Sequence, residues 1–366
     1  MKTMKATLDI EVKYPLEQIA PLEEILFLDI ETTGFSSKAS HLYLIGCVYY
    51  ADGAWQTIQW FAENYEEEID IITEFFWFAG SFKCLIHFNG NTFDLPFILQ
   101  KCKQYELSLS FEGMKNVDLY KCIAPCKFFL KLPNCKQKTL EQFLGIRRKD
   151  TFSGGELIEL YREYAKVPSA FAENAILLHN KEDLAGMLKV LPMLAYYDLF
   201  AKDVKAKKVQ ANYYRDLGGE KRMELLMTVT LPVELPRAVS ASVNQCYFTG
   251  EGLTGTLKVP VYEEEMKYFY ADHKDYYYLP TEDVALHKSV ATFVDSEHRV
   301  QATAATCYTR KQSQYLPQWG MFREPFFKRD YKSRELFFEL TTELKKDREA
   351  FSAYANHVLA MIASIY

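Results

Sequence analysis

Two carboxylates, Asp29 and Glu31, stand two residues apart at the end of a short apolar stretch, residues 25–30 (ILFLDI). The stretch has the pattern of a buried β-strand, and because strand side chains alternate between faces, both carboxylates point to the same side. Carboxylates held side by side repel each other unless a cation lies between them, and a hard divalent ion with oxygen ligands suits such a pair. A strand that simply runs into a charged turn would give the same pattern.

Two further acidic residues, Asp94 and Asp183, could add to this pair. Asp94 closes the segment HFNGNTFD, residues 87–94, and opens a helix predicted at about residues 95–105. An Asp at that position could instead cap the helix, a contribution of about 1 kcal/mol. Asp183 follows His179 by four residues in another predicted helix, so their side chains share one face. His179 could act as a base or orient water beside a metal ion, with a surface hydrogen bond as the alternative.

Together these segments resemble the motifs of the DEDD exonucleases. Residues 28–34 (LDIETTG) resemble the first motif, and residues 88–98 (FNGNTFDLPFI) resemble the second in the form found in family-B DNA polymerases. Residues 118–120 and 138–146 resemble the intervening elements. Residues 153–156 (SGGE), followed by HNKED, are similar to the predicted YprB-like bacterial exonucleases. The resemblance covers about residues 22–200.

The spacing of His179 departs from the family pattern. In the histidine subclass the His usually stands five residues before the last Asp, whereas in the tyrosine subclass a Tyr stands four before it. His179 occupies the tyrosine spacing relative to Asp183. This leaves the role of His179 open.

The resemblance implies a ribonuclease-H-like fold and a metal-dependent phosphodiester hydrolase, a 3′→5′ exonuclease that acts on single-stranded ends of DNA or RNA. Two Mg²⁺ or Mn²⁺ ions would activate water and clamp the scissile phosphate, and His179 would accept a proton. The implied metal ligands are the four carboxylates Asp29, Glu31, Asp94 and Asp183. Thr33 and Asn89 would either position substrate or shape the loops beside the ions.

Two other functions remain open. A structure-selective endonuclease would use the same fold and metal chemistry with a groove open at both ends. A nucleic-acid-binding or protein-binding module with a decayed site would be expected to lack a carboxylate, and all four are present. The choice between DNA and RNA depends on contacts to the 2′-hydroxyl, which the sequence does not specify.

The candidate site residues must be positioned by the strands and helices around them. Strand and helix patterns alternate along residues 1–203, which predicts an α/β domain with a mixed β-sheet flanked by helices. A helix at residues 66–79 is expected to expose its acidic residues to solvent, and a helix at residues 174–200 is expected to bend near Pro192. Further strands are predicted at residues 42–50, 55–61 and 84–88, and further helices at residues 140–144 and 156–165.

Residues 204–366 predict a second, mainly β domain that ends in a long amphipathic helix from about Ser333. The charged residues 202–208 read as an exposed connector between the domains. Between Arg299 and Arg334, basic and aromatic residues alternate. They could track a single nucleic-acid strand, but packing of the aromatic rings in a core is the more common use of such residues.

Composition limits the class of protein. The net charge of -6 argues against non-specific coating of nucleic acid, so a nuclease would depend on a local basic patch. Residues 1–20 lack the apolar stretch of a signal peptide, and the sequence predicts no membrane span. Eight scattered cysteines fit reduced thiols in a cytoplasm. Cys122, Cys126 and Cys135 are expected to be buried thiols rather than zinc ligands, because their spacing is not that of a zinc ribbon.

Overall fold

Strands and helices alternate along the first half of the chain in the computed structural model, which describes residues 1–150 and 152–366. The chain divides into two units, Met1–Tyr197 and Asp198–Tyr366. The first strands are β1 (Lys2–Leu8), β2 (Ile25–Thr32), β3 (Leu42–Ala51), β4 (Ala54–Phe61), β5 (Cys84–His87) and β6 (Lys115–Asp118). The helices are α1 (Glu68–Ala79), α2 (Asp94–Gln104), α3 (Leu119–Ile123), α4 (Gln137–Leu144), α5 (Gly154–Tyr164), α6 (Ala170–Val190) and α7 (Leu194–Ala201).

The six strands form one mixed sheet in the order β1-β4-β3-β2-β5-β6. Strands β1 to β4 pair antiparallel, while β2 pairs parallel with β5, and β5 with β6. The β3–β4 hairpin turns at Asp52 and Gly53, both with positive φ, as the Asp-Gly signal predicts. This confirms the expected mixed sheet, with β2 near its middle. Edge strand β1 was not predicted, because its inward residues alternate with charged and polar ones.

The core lies between this sheet and its helices, and β2 is buried from Ile25 to Leu28. Such burial on both faces explains why that stretch is continuously apolar. The predicted bend at Pro192 is confirmed: α6 ends at Val190, a 3₁₀ turn covers Leu191–Met193, and α7 follows. A proline cannot donate the helical hydrogen bond and crowds the preceding turn.

The helical stretch Ala170–Ala201 is long and apolar enough to cross a membrane by composition alone. However, 72% of its most apolar window is buried inside the protein. The stretch therefore has the character of a core helix.

The prediction that the acidic residues of α1 face solvent is wrong for Glu68, whose side chain is fully buried. Its carboxylate lies 3.1 Å from the Lys101 Nζ and accepts hydrogen bonds from the Leu42 backbone N–H and the Tyr105 hydroxyl. A buried carboxylate is tolerated when it is paired and hydrogen-bonded in this way. The network ties the start of β3 to α1 and α2.

The second unit is mostly antiparallel β-structure followed by a C-terminal helix, which confirms the predicted class. Its main sheet has the order β14-β15-β13-β9-β8-β7, and a small sheet has the order β11-β10-β12. The strands are β7 (Lys205–Arg215), β8 (Lys221–Val243), β9 (Cys246–Phe269), β10 (Tyr276–Leu279), β11 (Val284–His287), β12 (Val300–Gln301), β13 (Tyr308–Gln318), β14 (Phe326–Phe327) and β15 (Leu336–Glu339). The helices are α8 (Lys288–Ala291) and α9 (Arg348–Ala363).

Two expectations for this unit need correction. The C-terminal helix begins at Arg348, not near Ser333, because residues 336–339 pair with β13 and Asp347 caps the helix. The charged residues 202–208 are not only a connector, since β7 begins at Lys205. The aromatic side chains between residues 299 and 334 mostly support the packing interpretation. Tyr315 and Phe327, for example, belong to a buried cluster.

Candidate functional site

The local structure of β2 presents Asp29 and Glu31 on one face of the sheet. Asp29 lies opposite Gly46 of β3, and Glu31 lies opposite Leu44. The register shifts immediately after Glu31, which ends the regular pairing at the exit of the strand. The two carboxylates therefore lie where the central strand leaves the core.

Asp94 is held against the same strand. Its Oδ1 accepts a 3.3 Å hydrogen bond from the backbone N–H of Ile30, which lies between Asp29 and Glu31. Asp94 is the first residue of α2, and Phe93 occupies the N-cap position without a side-chain cap. The capping alternative is therefore wrong, and the carboxylate instead contacts β2.

Helix α6 brings His179 and Asp183 to this group. The His179 Nε2 lies 3.9 Å from Glu31 Oε1 and 3.2 Å from Asp183 Oδ2. One ligand atom from each of Glu31, His179 and Asp183 lies within 4.8 Å of the other two, a spacing that could hold a metal ion. His179 is buried, and the Asp183 side chain is 21% exposed.

The electrostatics of the cluster show the cost of bringing these acids together. Burial, with the negative charges of Asp183, Glu31 and Asp94, raises the pKa of Asp29 well above its usual range. Burial raises the pKa of Glu31 to about 8 and that of Asp94 to about 7. Without a cation the cluster therefore retains protons at neutral pH.

Asp183 differs from the other three carboxylates. Burial alone would raise its pKa, but the hydrogen bond with His179 and the charge of Arg148 outweigh burial and lower the pKa. For His179, burial lowers the pKa, while the hydrogen bond with Asp183 and the charge of Glu31 raise it above its ordinary value. The imidazole and this carboxylate thus stabilise each other's charged forms.

The donor set fits a hard divalent cation. Four carboxylates supply oxygen ligands, which Mg²⁺ and Mn²⁺ prefer. Positive charge at this position would replace the protons that Glu31 and Asp94 otherwise hold. The residues present are therefore suited to metal binding.

Asn180, which the sequence did not single out, orients Asp29. Its Nδ2 donates a 2.8 Å hydrogen bond to Asp29 Oδ2, and its Oδ1 accepts a 2.8 Å bond from Gln59 Nε2. Asn180 is fully buried and Gln59 nearly so. The side chain lies over Gly46, where an added Cβ would come within 2.0 Å of Asn180 Oδ1. Gly46 thus leaves room for the amide that holds the carboxylate.

The connection between α4 and α5 supplies two more partners. Arg148 Nη1 donates a 2.6 Å hydrogen bond to Asp183 Oδ1, and the same guanidinium binds the buried Glu141 through Nη2 at 2.6 Å. Asp150 Oδ2 lies 2.8 Å from His179 Nδ1. Because a carboxylate only accepts, Nδ1 donates to Asp150, and Nε2 donates to Asp183 when the imidazole is charged. The neutral imidazole that keeps its proton on Nδ1 has Nε2 free to accept a proton.

The two residues predicted to contact substrate make contacts that shape loops. The Thr33 hydroxyl accepts a 2.8 Å hydrogen bond from the His41 backbone N–H, and Thr33 is buried. Asn89 has a positive φ of 63°, and its backbone N–H donates to Asp118 Oδ1 at 2.9 Å. These contacts give both residues a role in turn structure. Contact with substrate stays a prediction.

Comparisons with known proteins bear on the first unit. Residues 26–195 match a family model described as RNase_H superfamily, so this unit contains a ribonuclease-H-like domain. A comparison with curated proteins found no match.

Two solved structures are among those to which this chain is similar. A family B DNA polymerase from the hyperthermophilic archaeon Pyrobaculum calidifontis is 16% identical with a TM-score of 0.39, over 48% of this chain and 25% of that chain. E. coli Exonuclease I in complex with a dT13 oligonucleotide is 11% identical with a TM-score of 0.29, over 56% of this chain and 54% of that chain. The chain thus spans a quarter of the polymerase and about half of the exonuclease.

Proposed function

Since residues 26–195 form a ribonuclease-H-like domain, we propose that this protein is a two-metal-ion nuclease that hydrolyses phosphodiester bonds, acting 3′→5′ on single-stranded ends. The observation that carries the proposal is the acidic cluster at the end of β2. Asp29 and Glu31 share a face of the strand, Asp94 bonds its backbone, and Asp183 meets Glu31 through His179. Asp29 and Glu31 are partly buried and Asp94 is buried, yet within the described residues no Lys or Arg lies within ion-pair distance of these three carboxylates, which a purely structural role would not explain.

Four carboxylates would hold the ions: Asp29, Glu31, Asp94 and Asp183. When bound, divalent cations polarise the phosphate and lower the pKa of water, which are the two requirements of phosphodiester hydrolysis at neutral pH. The Asn180 amide and the Arg148 guanidinium fix the orientation of Asp29 and Asp183, respectively. Such orientation limits the reorganisation needed when the substrate reacts.

His179 is the proposed general base. Its Nδ1 is engaged by Asp150, and its Nε2 faces Glu31 and Asp183. In the neutral form, Nε2 can take a proton from the attacking water, and the Asp150 charge stabilises the imidazolium that results. The four-residue spacing to Asp183 permits this geometry, because it puts both side chains on one face of α6.

The test is cleavage of 5′-fluorescein-labelled DNA and RNA oligonucleotides in Mn²⁺ or Mg²⁺, with EDTA and Asp29→Asn as controls. The proposal expects a ladder that shortens stepwise from the 3′ end. It also expects Asp29→Asn to lose activity by several orders of magnitude, because one ligand contributes several kcal/mol to transition-state stabilisation. Comparing the two oligonucleotides identifies the preferred nucleic acid.

The other outcomes each overturn part of the proposal. Discrete internal products would indicate that the protein is a structure-selective endonuclease of the same fold and not an exonuclease. Cleavage that is no greater than that of Asp29→Asn on any substrate would instead indicate a binding module. Thermal unfolding of both proteins, measured alongside, separates a loss of chemistry from a loss of folding.

A further inference from the structure

Charge is distributed unevenly over the first unit. We define the basic segment as residues 120–149, which contain eight Lys or Arg and one acidic residue, Glu141. By contrast, residues 63–74 contain six acidic residues and no Lys or Arg. The protein is acidic overall, with a net charge of -6, so the basic segment is a local exception. An acidic nuclease requires such a local concentration of positive charge to attract the phosphates of its substrate.

The basic segment begins close to the loop before Asp94 and ends in contact with Asp183. Asp118, two residues before the segment, accepts a 2.9 Å hydrogen bond from the backbone N–H of Asn89, in the loop that leads to Asp94. Near the other end, Gln137 Nε2 donates to the Asp183 backbone oxygen at 2.7 Å, and Arg148 Nη1 binds the Asp183 carboxylate. The segment therefore starts near the loop that leads to Asp94 and finishes beside Asp183, a residue of the proposed metal site.

Four of its eight cations are available to a ligand. The side chains of Lys121, Lys136, Arg147 and Lys149 are exposed. Within the described residues 1–150 and 152–366, no Asp or Glu oxygen lies within the 4.0 Å ion-pair distance of these four cations. Their charge is thus not neutralised inside the unit, and a polyanion could displace their counterions.

Exposed aromatic rings lie among these cations. Phe128 is 66% exposed, and the Lys127 Nζ lies 5.2 Å from the centre of its ring. Tyr120 is 38% exposed and packs edge-on against Phe88 of the loop before Asp94. Rings that face solvent between positive charges can stack on unpaired bases, which a duplex does not offer.

We propose that the basic segment is the surface that binds the single-stranded nucleic acid whose end enters the acidic cluster. This inference rests on the proposed nuclease function and adds the surface on which the single strand lies. The phosphates would lie along the exposed cations, and the bases would stack on Phe128 and Tyr120. The exposed carboxylates Glu66, Asp70 and Glu74 would repel the strand from the α1 side of the unit.

The test is binding of 5′-fluorescein-labelled oligothymidylate and oligouridylate to the full chain, measured by fluorescence anisotropy in EDTA, which prevents cleavage. The test variant is Lys121→Gln/Lys136→Gln/Arg147→Gln. The matched control is Lys5→Gln/Lys13→Gln/Lys103→Gln, which removes three exposed cations outside the segment and leaves the same net charge. Exposed substitutions of this kind change stability little, and thermal unfolding verifies this for both variants.

The test variant is expected to bind about tenfold more weakly at low salt, and the slope of log Kd against log salt should fall by about 2, since each phosphate contact contributes about 0.7 on a single strand. The control variant should match the wild type. An equal loss of affinity in both variants, or no loss in either, would overturn the assignment of the basic segment as the binding surface. A blunt duplex that binds as tightly as the single strand would overturn the preference for unpaired bases. Intact binding without any cleavage in Mn²⁺ would instead refute the nuclease function alone.

Discussion

The Nδ2 of Asn180 donates a 2.8 Å hydrogen bond to Oδ2 of Asp29, so helix α6 fixes a carboxylate of the central strand. The amide is held in turn by Gln59 of β4, and both side chains are shielded from water. A buried amide whose donor and acceptor are both engaged has one favourable orientation. Asp29 therefore keeps a defined position even though burial and its acidic neighbours favour protonation.

Removing this amide should impair activity more than folding. For Asn180→Ala we expect kcat or metal affinity to fall about 10- to 100-fold, the usual effect of losing a partner that orients a metal ligand. Asn174→Ala, at an exposed position of the same helix, is the control and should behave like the wild type. Steady-state kinetics over a range of Mg²⁺ concentrations measures both quantities. Wild-type activity in Asn180→Ala would contradict the orienting role.

Gly46→Ala should destabilise the first unit. The added Cβ would lie 2.0 Å from Asn180 Oδ1 and 2.8 Å from Leu184 Cδ1, so α6 must shift away from the sheet. Overpacking of this kind costs about 1–3 kcal/mol of the free energy of unfolding. Urea unfolding measures the change. In Gly80→Ala the nearest atom lies at an ordinary 3.5 Å, and a comparable loss there would show that the effect is not specific to the contact with Asn180.

His179→Ala should reduce kcat by about 10²- to 10⁴-fold if His179 is the general base. Asp150→Asn should have a smaller effect and should shift the acidic limb of the kcat–pH profile to lower pH. The direction follows because the Asp150 charge helps to raise the pKa of His179, and the base must be unprotonated to act. Glu159→Gln, at an exposed site, is the matched carboxylate-to-amide control. Full rescue of His179→Ala by excess Mn²⁺ would indicate a metal ligand instead.

Metal removal should make stability depend on pH. The pKa of Glu31 is raised from 4.5 to about 8, and that of Asp94 from 3.8 to about 7, so the folded state holds these protons more tightly than the unfolded state. Their stabilising contribution is therefore complete below the unfolded pKa values and is lost as pH rises through about 7 to 8. In EDTA the free energy of unfolding should fall between about pH 5 and pH 9.

Mg²⁺ should reduce that fall, because it binds the ionised carboxylates of the folded state. Urea unfolding with EDTA or excess Mg²⁺ at each pH measures the difference. Glu31→Gln is the control, since in EDTA it should show a shallower dependence than the wild type. Identical slopes for the two proteins would exclude Glu31 as a source of the effect.

The buried pair of Glu68 and Lys101 should be sensitive to the loss of one partner. Lys101→Met leaves the fully buried Glu68 carboxylate without its cation, which typically costs about 3–5 kcal/mol. The double variant Glu68→Gln/Lys101→Met removes both charges and should recover part of that loss. Chemical unfolding of the wild type and the variants measures the coupling between the two residues. Additive losses would show that the two charges do not stabilise each other.

Much of the fold could be predicted because it depends on local patterns. Continuous apolar residues indicated the central strand, the Asp-Gly step indicated the β3–β4 hairpin, and Pro192 indicated the break after α6. The second unit was harder. Residues 336–339 form a strand although their leucine spacing continues the amphipathic pattern of α9, because pairing with β13 outweighs helical periodicity.

Local sequence was enough to predict that Asp29 and Glu31 share a face of β2 and that His179 and Asp183 share a face of α6. Each pair lies within one element, whose backbone geometry fixes where the side chains point. Contacts between side chains of different elements could be assigned only from the folded structure. Asn180 reaches Asp29, 151 residues away, and Asp150 reaches His179 from a connecting segment with no local signal. Such contacts depend on how the helices pack on the sheet, which no short stretch of sequence specifies.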